Sequence, residues 1–148
     1  MASIAIVIDR YEKSRHAPPI KTLLKTRKKD LISIDLFNNG IINLNNDFPR
    51  ALKAFLGAAK MGLPEAQFNV ARYTSLSMNP VDQNEVVRWY KLAGEQMYAP
   101  ALHNLSILFS QDTEEPNKQK SAVKYNELAA KSNYGPALSD LGIRFATA

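Results

Sequence analysis

The sequence predicts an all-α fold: an α–α superhelix, or solenoid, of helix–turn–helix repeats about 35–36 residues long, with an N-terminal helical cap. Two observations predict it. The chain aligns on itself three times, and within each copy apolar residues recur at helical spacing on either side of a proline-marked break.

The three copies begin at Ala51 (ALKAFLGAAKMGLPEAQFNVARYT), Val86 (VVRWYKLAGEQMYAPALHNLSILF) and Ala122 (AVKYNELAAKSNYGPALSDLGIRF), at offsets of 35 and 36 residues. Ala58, Ala93 and Ala129 share one column, Ala59, Gly94 and Ala130 the next, and Ala66, Ala101 and Ala137 a third. Small side chains at such positions let two antiparallel helices approach to the short end of the usual separation, about 8 Å. Asn69, Asn104 and Asp140 form a polar column that, by its repetition, reads as satisfying a backbone group at the inter-helix turn.

In the second copy Asp82 suits an N-cap, after which Val86, Val87, Tyr90 and Ala93 mark one helix face. The break falls at Met97–Tyr98. Pro100 then opens the second helix, where its missing N–H costs nothing, and Leu102, Leu105, Leu108 and Phe109 define that helix's stripe. Pro64 and Pro136 punctuate the other copies at nearly the same point. The units span about 47–76, 82–111 and 117–148.

Residues 1–30 stand apart as a basic cap. They hold eight Lys and Arg against three acidic residues, net +5, whereas residues 31–148 are neutral overall. Ile4 to Tyr11 suits either a helix or a short strand, and Ala17-Pro18-Pro19 is a break. Ile20, Leu23, Leu24, Leu31, Ile34 and Phe37 suit a helix with a basic face, so the cap reads as a hairpin of about 3–15 and 20–38.

The motifs resemble the Sel-1-like repeat, a relative of the tetratricopeptide repeat, over residues 31–148. The match runs through Val86, Trp89, Tyr90, Ala93 and Gly94, then Ala101, Asn104, Leu105, Ser106 and Phe109. Asp47-Phe48-Pro49-Arg50-Ala51 is similar to that family's lead-in to a first helix, and Leu36-Phe37-Asn38-Asn39-Gly40 to the end of a preceding, degenerate unit. The sequence departs from the pattern where Ala54 and Tyr125 replace Trp89, where the second-helix glycine survives only as Gly142, and in the 110–120 linker. The resemblance implies a scaffold that binds proteins through a concave surface lined by first helices. In bacteria, short members of this kind include adaptors and immunity proteins that block a cognate toxin, and secreted effectors that dock on host proteins.

The residues themselves exclude several other classes. There is no cysteine, hence no disulfide, thiolate metal site or cysteine nucleophile. The longest apolar run, Ile4 to Ile8, is too short to span a bilayer or to read as a signal peptide, which makes the cytoplasm the default compartment and argues against a membrane partner. The two histidines, His16 and His103, read as packed or surface residues. No acidic pair stands at metal-ligand spacing, and no glycine-rich phosphate loop is present. Neither catalysis nor a cofactor is expected.

Binding candidates are easier to find. One column is basic in all three copies, Lys53, Arg88 and Lys124, with Arg50, Lys91 and Glu127 beside it on the first helices. Its plain reading is a solvated face; its functional reading is a ladder that meets an acidic protein surface. Trp89, Tyr90, Phe55, Tyr125 and Phe145 recur at core positions. Tyr98 and Tyr134 lie at the inter-helix turn, where an amphipathic ring suits packing and partner contact equally. The run Lys25-Thr26-Arg27-Lys28-Lys29 offers contacts to phosphate or to an acidic protein, but lacks interleaved aromatics and any nucleic-acid motif.

Overall fold

Two aspartates start the first helices as the sequence requires. Asp47 Oδ1 accepts from the Arg50 backbone N–H, and Asp82 Oδ1 accepts from those of Asn84 and Glu85, each meeting donors that a helix start leaves orphaned. The computed structural model describes residues 20–77 and 79–147. Among them are seven helices and no strand: α1 (Ile20–Asn43), α2 (Phe48–Lys60), α3 (Pro64–Ser77), α4 (Gln83–Glu95), α5 (Ala99–Ser110), α6 (Pro116–Lys131) and α7 (Gly135–Thr147). Each packs chiefly on its neighbours in chain order, which is how a solenoid buries surface.

The turn inside each unit is the same device three times over. Gly62, Met97 and Asn133, one repeat apart, adopt left-handed backbone with φ of 97°, 59° and 58°. The next residue's N–H then reaches back to close the helix: Leu63 to the Ala58 carbonyl, Tyr98 to Ala93 and Tyr134 to Ala129. The second helix leaves with Pro64, Pro100 or Pro136 in its first turn. Ala66, Ala101 and Ala137 are fully buried just beyond, as a close crossing demands.

The larger core runs from α2 to α5 through Ala51, Phe55, Ala58, Val70, Val86, Trp89, Tyr90 and Leu105. A smaller cluster of Leu102, Ala129, Ala130 and Ala137 joins α5 to α7. The polar column behaves differently from its sequence reading. Asn104 Nδ2 donates to the Tyr90 hydroxyl at 3.0 Å and so ties α5 to α4 through side chains, not backbone. Backbone carbonyls are met elsewhere: Gln67 Nε2 donates to Ala59 O, and Asn126 Nδ2 to Ala137 O.

The helix expected over 20–38 is α1, which runs without interruption from Ile20 to Asn43 and takes in both the basic face and the Leu36–Gly40 segment. Gly40 stays helical and buried because the Phe55 ring occupies the space a Cβ would need, 2.6 Å away. Leu36 and Phe37 pack against the core, but Leu24, Leu31 and Ile34 point away from it. The expected helix over 3–15 and His16 lie outside the described residues, as does the side chain of Phe145.

Candidate functional site

A groove of about 980 Å³ lies between α4 and the turn that leads from α5 into α6. Val87 and Leu92 of α4, with Leu108 and Phe109 of α5, give it an apolar floor. Phe109 is held from below by Tyr125 of α6, edge to face at 5.6 Å. Its place at the end of the α5 stripe, one helical step beyond Leu105 and Leu108, brings its ring out at the junction of two units.

Arg88 and Lys91 line the α4 wall, one turn apart. The Arg88 guanidinium lies 4.7 Å from the Trp89 ring centre and 3.8 Å from Glu85 Oε1, which also accepts the Trp89 indole N–H. The Lys91 ammonium lies 5.6 Å from the Phe109 ring. Both cations therefore rest on aromatic faces with their charge still turned to solvent, an arrangement that limits side-chain freedom before any partner arrives.

The opposite rim, Gln111 to Glu114, is stapled in place. Gln119 Nε2 donates to the carbonyls of Ser110 and Asp112, at 3.1 and 2.7 Å. Lys118 Nζ donates to Asp112 Oδ2 at 2.7 Å and Glu115 Oε1 at 3.1 Å. That contact holds the Asp112 carboxyl below the usual carboxylate range and raises the Lys118 ammonium above the usual lysine range. Read as sequence, this linker is only a solvated polar loop. Its ordering comes from Gln119 and Lys118, which the fold turns back onto it.

The predicted residues divide accordingly. Arg88 and Lys91 face the groove together; Arg50 and Lys53 on α2, and Lys124 and Glu127 on α6, are exposed on flanking helices and do not line it. Tyr98 packs on Phe68 and Tyr134 on His103, each with ring centres 5.6 Å apart, and both rings are half-buried. Desolvation first, then the Glu65 charge, pushes the Tyr98 hydroxyl above the ordinary phenol range. The groove also presents Glu95, Asp112 and Glu114, so its walls carry both signs.

One polar site escaped the sequence. Asn126 is fully buried, its Oδ1 lies 3.3 Å from His103 Nδ1, and Asp140 Oδ2 approaches the same nitrogen at 3.7 Å. Its signal was the column it occupies, where the other units have Phe55 and Tyr90. The contacts make it an internal tie between α5, α6 and α7. Among the described residues no group of three or more His, Asp or Glu is placed to hold a metal ion, and no helix is long and apolar enough to cross a membrane.

No family model matches the sequence, and neither does any curated protein. Solved structures do match. A Sel1 repeat protein from Oxalobacter formigenes superposes with a TM-score of 0.66 at 20% identity, over 82% of this chain and 98% of that one. A protective antigen of uropathogenic Escherichia coli, displaying an SLR fold, superposes with a TM-score of 0.61 at 24% identity over 72% of this chain. This chain spans only 26% of that antigen's length. At these identities the likeness is one of fold, and together with the three repeated turns it leads to one conclusion: the chain folds as an all-α helical-repeat solenoid similar to those Sel1-repeat structures.

Proposed function

We propose that this chain is a protein-interaction module that takes one dedicated protein partner on its first-helix side, with the Arg88–Lys91 groove at the centre of the contact. The observation that carries the reading is the pairing of an apolar floor with cations held on aromatic rings. Interface centres are built in this way, from aromatic and Arg anchors inside a rim that excludes water. Lys53, Lys91 and Lys124 make no ion pair among the described residues, which leaves their charge for an acidic patch on the partner. Such charges steer encounter and, where desolvated, slow release. In its sharpest form the reading is that of a bacterial immunity protein that occludes a cognate toxin, a role suited to a short array with a sizeable groove.

The test is a charge reversal. Arg88→Glu with Lys124→Glu is expected to weaken the complex with a partner captured by pull-down by about 2–5 kcal/mol. The melting temperature should stay nearly unchanged, since both side chains are exposed. The comparison variant is Lys25→Glu with Lys28→Glu, at the basic start of α1. If that variant abolishes binding while the first leaves it intact, the groove is not the site. A steep loss of affinity with salt for a nucleic-acid ligand would then make the basic segment a phosphate-binding surface.

A further inference from the structure

Helix α1 packs on α2 through Leu36, Phe37 and Gly40, and on its far side it carries a second apolar stripe. Leu24, Leu31, Ile34 and Ile41 are 63%, 56%, 44% and 48% exposed. With Arg27 and Asn38, also exposed, they stand at 24, 27, 31, 34, 38 and 41, in alternating steps of three and four residues. That is the a/d spacing by which one helix seats on another, and it includes a single asparagine at an a position, the kind of residue that fixes register. Among the described residues, α2 is the helix on which α1 chiefly packs.

The stripe is its own complement when reversed. Set antiparallel to a copy of itself, about a two-fold axis between Leu31 and Ile34, it pairs Leu24 with Ile41, Leu31 with Ile34 and Arg27 with Asn38. Apolar then meets apolar, and each guanidinium meets an amide whose carbonyl can accept from it. A parallel pair would instead set Arg27 against Arg27 and the whole 25–29 basic run against its copy. Beside the stripe, Lys28 and Asp35 are seven residues apart, beyond the three or four at which helix neighbours pair. The antiparallel register brings each beside the other in the second copy. We propose that this face of α1 is a homodimer interface, taken by α1 of a second copy of the chain in that register. From Leu24 to Ile41 the stripe is about 26 Å long. That puts the contact near the low end of stable interfaces, about 1,000 Å² in total. The dimer is therefore one that assembles across the micromolar range. The groove, lined from Gln83 to Lys118, takes no part in it, so the dimer presents two of them.

Sedimentation equilibrium of the full chain over that range is the test. The mass is expected to rise with concentration from that of one chain, 16.5 kDa, to that of two. Leu31→Asp, at an exposed position, should hold it at one chain with unchanged far-UV circular dichroism. Lys28→Glu alone and Asp35→Lys alone each set two like-charged pairs at the interface. Either should raise Kd about tenfold, and the two together should restore it to within about threefold. Both positions are exposed, so these variants decide even if Leu31→Asp disturbs folding. A single-chain mass at every concentration overturns the proposal and leaves the stripe to another part of the chain or to a different protein. So does a dimer that Leu31→Asp leaves intact, since its interface would lie on another face. Single reversals without effect, or a double reversal that recovers nothing, overturn the antiparallel register.

Discussion

Three residues one repeat apart do the same backbone work with very different side chains. Gly62 adopts its left-handed conformation without cost and Asn133 with little, but Met97 carries a Cβ into a region that disfavours it by about 1–2 kcal/mol. Its side chain is 48% exposed and recovers little by packing. Met97→Gly is therefore expected to raise stability by about 0.5–1 kcal/mol, the relief being partly offset by the freer unfolded chain. Chemical denaturation with an unchanged m-value checks this. A lower midpoint would show that the Met97 side chain holds more than its backbone costs. At this scale the sequence was legible wherever chemistry is local, as with Asp82, whose carboxylate accepts from the backbone N–H groups of Asn84 and Glu85. It was silent on Asn126, because the partners of that side chain, His103 and Ala137, come from two other helices.

At the scale of elements, the small-residue columns are the strongest claim the sequence makes, and Ala101 is where it can be tested. This residue has no exposed surface and stands at the start of α5, where that helix leaves its crossing with α4. Ala101→Leu adds three carbons to a filled space and should cost about 1–3 kcal/mol. If the variant melts with the parent, the alanine column does not mark a close contact. The end of α1 was less readable: its helix, expected over 20–38, runs on through Asn39 and Gly40 to Asn43, because Gly40 packs on the Phe55 ring and does not end the helix.

The molecule as a whole buries its tyrosines across unit boundaries, and this gives it an alkaline weakness. Burial pushes the hydroxyls of Tyr90, Tyr98 and Tyr125 above the ordinary phenol range, with Asn104 pulling Tyr90 partly back. A folded-state value raised above the unfolded one means stability is complete below the unfolded value and is lost as pH rises through the folded one. Thermal melts from about pH 8 to about pH 11 should show a falling melting temperature that begins near the free tyrosine value of about 10. Tyr98→Phe with Tyr125→Phe should flatten the fall. A curve of the same steepness in that variant would show that other groups govern the loss.

What the sequence alone determined is what repeats: the helical period, the proline-marked turns, the alanine crossings and the basic column Lys53, Arg88 and Lys124. Each arises from interactions within one unit or between equivalent positions, so residue spacing suffices to reveal it. What only the tertiary structure decided is what depends on neighbours distant in the chain. The groove exists because Phe109 emerges at a unit junction and Gln119 folds the 111–114 rim into place, and so Lys91 faces it while Lys53 and Lys124 do not. Periodicity assigns a residue to a helix face, but which faces enclose a space depends on how successive helices stack.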